Sequence, residues 1–342
     1  MSLTGLFASM RRREALLPLL APFVPHGLSA ATKLTQIQLS KSQPNELLIR
    51  VQPIGDRYLA YWRAGLFRGA TSLRCYAANG EILWAHPGKG FLMNLVPVSD
   101  AGVCCVEAIL DRRVLLFSEY NAEGAVIREV ELDPPGAVLA VSAGEHAVCA
   151  VGPGPVFFWK AWSGGPRREN RPSGVFQTPE PQGNIPAAGV LGLLRNGSEW
   201  VLLDRVEARI DSIDASFVNA RSSRLTHSRI QEALQAKERR LESLRKDMKA
   251  AGRKDVALGQ PTSIIYAASD YKGGIWIVPS PLNPRQVTLL RVDAVRHAVT
   301  ETRTLELPSP QDTGQQPPTI FSSAPGVLVF AYGNGLVAQY SV

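Results

Sequence analysis

Histidine is scarce in this sequence, with five in 342 residues. His86, His146, His227 and His297 stand far apart, and no two have the spacing of metal ligands. Gly-x-Ser-x-Gly, His-Glu-x-x-His, phosphate-loop and EF-hand patterns are all missing. No catalytic residue, metal site or cofactor is therefore assigned. There are four cysteines, Cys75, Cys104, Cys105 and Cys149. None forms a Cys-x-x-Cys pair, which removes the usual zinc and redox signatures. All four lie in apolar runs, where a thiol acts as a small hydrophobe; their disulfide state stays open. No apolar run approaches the ~20 residues that cross a bilayer, so no transmembrane segment is expected.

An excess of one charge sign over the whole surface is also missing. The chain has 37 Lys or Arg against 30 Asp or Glu. Residues 224 to 254 alone hold ten basic and four acidic residues, and the chain from 32 onward is otherwise nearly neutral, with 24 against 25. The basic character belongs to one segment, so no nucleic-acid partner is indicated.

The chain opens with an apparent export signal. Arg11-Arg12-Arg13 precedes an apolar stretch from Leu16 to Val24, and Ser29-Ala30-Ala31 offers a cleavage site. Residues 1–31 read as a signal peptide and 32–342 as the mature protein, periplasmic or secreted. The arginine run resembles a bacterial twin-arginine (Tat) signal, although Glu14-Ala15-Leu16-Leu17 departs from the usual tail; the general secretion route remains open.

Glycine and proline are plentiful, with 29 and 25 residues. They bound short runs of Val, Leu, Ile, Phe, Tyr and Trp, which is the signal for strands and hairpins. One clear triplet is Val103–Leu110, Val114–Tyr120 and Ala125–Leu132. The stretch before it repeats the layout, with Arg57–Arg63, Ser72–Ala77 and Glu81–His86. The outer turn glycines of the two sets, Gly80 and Gly124, stand 44 residues apart. Less regular sets follow near 138–161, 190–213, 263–307 and 327–341. Six small sheets at this period predict a β-propeller, in which each sheet covers the face its neighbour cannot shield. The last set is short of strands. Leu34 to Leu39 alternates apolar and polar residues and is expected to pair with it, closing the ring.

On this layout, and on the pattern Leu115-Phe117-Glu119 followed by Gly124, Val126 and Arg128, residues 34 to 342 resemble a bacterial six-bladed propeller of the broad NHL/TolB-like kind. The resemblance implies an all-β wheel with ligand groups in loops at one mouth. Tyr76 to Trp84 also resembles the tryptophan-docking repeat of quinoprotein propellers. It lacks that repeat's Asp and Thr and does not recur, so no quinone cofactor is expected.

The β pattern breaks at 223–254. Arg224 to Ala251 has no Gly or Pro, Ser222 or Ser223 offers a cap, and Gly252 a stop. A helix of 28 residues would be about 42 Å long. Ile230, Leu234, Leu241, Leu244 and Met248 fall on one narrow stripe with Lys237 in its middle. Three readings stay open: a helix lying on the propeller flank, a partner or self-association helix, and a basic helix at a polyanionic surface.

Candidate ligand groups in the loops are Asp56, Arg57, Asp100, Asp270, Tyr271, Lys272 and Asn334. For Asp270 the alternative is a plain turn with a satisfied carboxylate. The function read from these features is an exported, non-catalytic propeller. It would bind a protein, peptide or envelope ligand, with the helix as a second contact. The alternative is a propeller hydrolase or lactonase, using loop carboxylates and a divalent metal as lactonase-like propellers do.

Overall fold

The structure is a computed structural model. It describes residues 33–65, 69–99, 102–134, 136, 138–143, 146–151, 156–160, 167–169, 174–176, 191–196, 199–214, 216, 218, 220–252, 261–283, 285–313, 318 and 320–342. The signal read at 1–31 and Asp100 lie outside the described residues.

Strand β1 (Lys33–Gln38) comes first. The first complete sheet is β2 (Glu46–Ile54), β3 (Arg57–Ala64), β4 (Thr71–Tyr76) and β5 (Ile82–Pro87). The second is β6 (Phe91–Ser99), β7 (Gly102–Ile109), β8 (Val114–Asn121) and β9 (Val126–Leu132). A third contains β10 (Val138–Ala143), β11 (His146–Val151) and β12 (Val156–Lys160). Next in the chain, β13 (Arg167–Glu169) turns back to pair in parallel with β9, while β14 (Gly174–Phe176) completes the third sheet. The fourth is β15 (Leu191–Asn196), β16 (Glu199–Asp204), β17 (Arg209–Ile213) and β18 (Ala220–Arg224). Helix α1 (Ser228–Ala250) follows. Then come β19 (Ile264–Ser269), β20 (Gly274–Pro279), β21 (Gln286–Asp293) and β22 (Ala298–Glu306). The last sheet has β23 (Ile320–Ala324), β24 (Val327–Ala331) and β25 (Leu336–Ser341), and β1 pairs antiparallel with β25. The chain is an all-β propeller with one helix.

The sheets are less uniform than the sequence pattern suggested. Five have four strands, and the second has five because β13 adds to its edge. The first strand of each sheet lies against those of its neighbours: β2 against β6, β6 against β10, β10 against β15, β15 against β19, β19 against β23 and β23 against β2. Apolar side chains fill the spaces between sheets. Leu59, Tyr61 and Cys75 of the first sheet pack with Leu95, Val103, Cys105 and Tyr120 of the second. Cys104 points the other way, into the core shared with Val141 and Ala143. Successive strand residues face opposite sides, so these neighbouring thiols sit in different cores. Cys75, Cys104 and Cys105 are buried and free.

The 44-residue interval between Gly80 and Gly124 has a physical origin. Both adopt positive φ, +84° and +88°. A Cβ on Gly80 would sit 2.3 Å from the Gln38 carbonyl, and one on Gly124 would sit 2.8 Å from the Trp84 ring. Each outer turn thus touches the sheet before it, where a side chain has no room. Hydrogen bonds run across the same seam. Trp84 Nε1 and Arg57 Nη1 both donate to the Ala122 carbonyl, at 2.9 and 2.8 Å.

The helix begins later than the composition implied. Ser222 and Ser223 belong to β18, paired with Asp211 and Ile210. His227 takes the cap instead, its Nδ1 accepting from Arg229 N at 3.2 Å. Twenty-three residues give a length of about 35 Å at 1.5 Å per residue. Gly252 ends it at φ +66°. Ile230 and Ala233 are buried, Ile230 in the core of the fourth and fifth sheets with Leu225, Ile264 and Ile275, and Leu234 packs on that core. Lys237 is buried too, which explains a cation in the apolar stripe. Its Nζ donates to Glu207 Oε1 at 2.7 Å and to the Val206 carbonyl at 3.3 Å. Beyond that anchor Leu241, Leu244 and Met248 are only half-buried.

Candidate functional site

The first strands of the sheets bring their side chains to a common channel. Arg50 and Gln52 come from β2, Asn94 from β6, Ser142 from β10, Arg195 from β15, Ser269 from β19 and Ser322 from β23. They enclose a cavity of about 50 Å³. It opens past Tyr271 and Arg195 into a mouth of about 570 Å³. The strands alternate in direction, so turns between first and second strands all fall at this end. Pro53, Ile54, Pro97, Val98, Pro325 and Val327 give the mouth an apolar rim.

Most neutral polar groups inside are already engaged. Gln52 Nε2 donates to the Ser323 carbonyl at 2.7 Å, and Ser323 Oγ donates to the Ser269 carbonyl. Asn94 Nδ2 donates to the Val141 carbonyl at 2.7 Å. Two groups differ. Arg50 Nε and Ser322 Oγ are shut away from water and have no hydrogen-bond partner. Burial, and then the charge of Arg205, hold the Arg50 guanidinium below its ordinary range. Arg205 is lowered by burial as well. Its Nε donates to the Ile264 carbonyl at 3.0 Å. No described residue lining the cavity or the mouth is an Asp or Glu.

The loop residues singled out from the sequence separate into distinct places. Tyr271 lines both the cavity and the mouth, with φ +59°, and burial raises its hydroxyl pKa. Asp270 faces its own turn. Oδ1 accepts from Lys272 N at 2.7 Å and Gly274 N at 2.8 Å, and Oδ2 accepts from Arg291 Nε at 2.6 Å. Lys272 and Asp270 border a separate cleft beside Arg291 and Arg303. Asp56 is exposed, 3.9 Å from Arg57, and Arg57 reaches across to the second sheet. Asn334 lies in the turn between β24 and β25, at the opposite end of the strands. Its Oδ1 accepts from Leu336 N at 3.0 Å.

Neither Arg50 nor Ser322 was anticipated. A usable signal was present for Arg50, a cation between Ile49 and Val51 in a strand that is otherwise largely apolar. Two Ser–His contacts also went unforeseen. His297 Nε2 lies 2.7 Å from Ser212 Oγ, and Nδ1 lies 2.8 Å from Ser223 Oγ. Ser212 is buried and also donates to the Ala294 carbonyl. With both ring nitrogens engaged and Ser212 closed to solvent, the trio clips the fourth sheet to the fifth. Among the described residues no three His, Cys, Asp or Glu side chains gather where they could hold a metal.

Fold and channel together define a class: a propeller whose channel carries positive charge behind an apolar mouth. No protein-family model matches the chain, nor does any curated protein. Solved structures similar to it include BamB from Moraxella catarrhalis, at 10% identity and TM-score 0.46, covering 92% of this chain and 100% of that one. Virginiamycin B lyase from Staphylococcus aureus aligns at 10% identity and TM-score 0.48, covering 91% and 99%. The Pan2 WD40 domain from Neurospora crassa aligns at 10% identity and TM-score 0.46, covering 91% and 95%. Likeness of this degree carries no argument about function, and the propeller assignment rests on the sheets themselves.

Proposed function

We propose that this chain is an exported, non-catalytic binding module built as a closed six-bladed wheel. The closed wheel is supported by the cyclic contacts of the first strands and by the β1–β25 pairing. The observation that carries the binding reading is the channel. Among the described residues a divalent metal placed there would meet the Arg50 and Arg195 side chains and no carboxylate, which disfavours the ion that a lactonase-like mechanism needs. The wheel offers its partner one mouth and the outer half of α1. Past Lys237 that half keeps an apolar stripe, Leu241, Leu244 and Met248, beside exposed Arg239, Arg240, Arg245, Lys246 and Lys249. The export signal read from the sequence of residues 1–31 supports this reading, in which the partner belongs to the cell envelope or lies outside the cell.

The test is co-purification from envelope extracts with full-length protein and with Leu241→Ser/Leu244→Ser/Met248→Ser. The expected result is a partner retained by the first and lost by the second, with both proteins equally folded by circular dichroism. Retention by both removes α1 from the proposal.

A further inference from the structure

We propose that the outer half of α1 pairs with the same half of a second copy of this chain, antiparallel, as a short two-stranded coiled coil. The pairing rests on the reading of that half as a contact surface, and it leaves the mouth to another ligand. Ile230, Leu234, Lys237, Leu241, Leu244 and Met248 follow one another at alternating steps of four and three, the a/d spacing of a coiled-coil seam. The seam has two stretches in different surroundings. Ile230 and Leu234 pack on the core of the fourth and fifth sheets, and Lys237 is fixed by Glu207 and Val206. Leu241, Leu244 and Met248 carry the same seam past that anchor and join none of the described cores.

The charges beside the seam select the occupant. With the apolar residues as a and d, Arg240 and Asp247 take the two g positions, and Glu238 and Arg245 the two e positions. All four side chains are exposed, and of them only Glu238 has an ion-pair partner among the described residues, Lys237 at 3.4 Å. In an antiparallel pair g faces g and e faces e. Arg240 then meets Asp247 of the second copy and Glu238 meets its Arg245, each twice by symmetry. A parallel pair would set g against e, and so Arg240 against Arg245 of the second copy. It would also crowd two wheels at one end, whereas antiparallel pairing puts them at opposite ends. An anionic membrane fits less well, because each flank of the stripe carries an acid, Asp247 on one and Glu238 on the other.

The length agrees with this register. With Leu241 against Leu244 of the second copy, Met248 falls opposite Lys237, the last seam residue held by the wheel. Helix α1 ends at Ala250, so the second helix stops short of the level of Leu234, where the wheel already covers the seam. Residues 238–250 span about 20 Å. An interface this short belongs to the weak, reversible class.

The experiment is sedimentation velocity of the full chain from about 1 to 200 µM. It is repeated on Arg240→Glu, on Asp247→Arg, on an equimolar mixture of those two variants, and on Leu241→Ser/Leu244→Ser/Met248→Ser. A separate arm adds phosphatidylglycerol vesicles to wild type. Wild type should pass from monomer to dimer with a midpoint of about 10–100 µM. Each single charge variant faces like charges across one flank and should weaken the dimer about tenfold. The mixture is the decisive sample. A copy carrying Arg240→Glu opposite one carrying Asp247→Arg regains unlike charges at both contacts, so the mixture should dimerise as wild type does. Five results would each overturn the assignment: a chain monomeric throughout, a dimer indifferent to both single variants, a dimer tightened by Arg240→Glu as a parallel pair would be, a mixture no better than its components, or capture by the vesicles in place of dimerisation. A monomer whose envelope partner is still lost in the triple serine variant overturns the pairing alone. Loss of neither the dimer nor the partner in that variant removes α1 from both proposals.

Discussion

Two arginines sit in the first sheet, one strand apart across β3, in different circumstances. Arg74, on β4, lies over the Trp62 ring, 5.6 Å from its centroid. Its Nη1 donates to Glu46 Oε2 at 2.8 Å and its Nη2 to Glu46 Oε1, a forked pair with both side chains buried. Glu46 also accepts from Ser42 N and Gln43 N, at 2.8 and 3.2 Å. Arg50, on β2, has no such carboxylate, and its Nε is closed off without an acceptor. Arg74 is held through both terminal nitrogens, whereas Arg50 Nε, like Arg63 Nε on the strand between them, is closed off without an acceptor.

The largest effect should come from breaking the matched pair. Glu46→Gln leaves Arg74 buried without its countercharge and should cost about 3 kcal/mol in urea unfolding. The pair also has a pH signature. The Arg74 hydrogen bond is the main reason the Glu46 carboxyl lies below its ordinary 4.5. A depressed carboxyl contributes stability that is complete above its ordinary value and is lost as pH falls through the folded value. Wild type should therefore lose stability below about pH 4.5, and Glu46→Gln should lack that component.

A smaller effect should follow at the helix anchor. Lys237→Ala removes the bonds to Glu207 and Val206. It should cost about 1–2 kcal/mol and speed hydrogen exchange across α1 more than across β16 or β20. Uniform exchange changes would mean that the helix is held by its apolar contacts alone.

Asp211 is a buried carboxylate of the fourth sheet, with Arg209 Nε 3.6 Å away and the Ser222 hydroxyl and the Arg209 charge only partly offsetting its burial. Burial raises its carboxyl above the ordinary 3.8. The sign is opposite to that of Glu46, because a raised carboxyl penalises the folded state at neutral pH and the penalty disappears as pH falls through the folded value. Asp211→Asn should gain up to about 1 kcal/mol at pH 7 and nothing at pH 3, read from paired melts. A loss at pH 7 would show that the carboxylate is needed for the fourth sheet.

The sequence disclosed the strands whose alternation is local. β7, β8 and β9 stand close to where the Val, Leu and Phe runs put them, and β1 lies beside β25 as its period of two implied. It concealed β2 and β6, two of the six channel-facing strands, because Pro53 and Pro97 interrupt them. It concealed β18 because Ala-Arg-Ser-Ser-Arg is polar on both faces, as an outer strand can be, and reads as the approach to a helix. The channel was hidden for a different reason. Its lining takes one to four residues from each of six strands, from Arg50 to Ser323, and no local pattern records that convergence. Tyr271 was found only because its turn is conspicuous.

The account turns on the contrast between the two guanidiniums, and thermal unfolding of Arg74→Met and Arg50→Met beside wild type, without added ligand, tests it most directly. The expected melts move in opposite directions: Arg74→Met lower, because Glu46 is stranded, and Arg50→Met higher, because an unmatched charge is removed. Two variants that melt together below wild type would contradict it, since Arg50 would then be as much a part of the scaffold as Arg74.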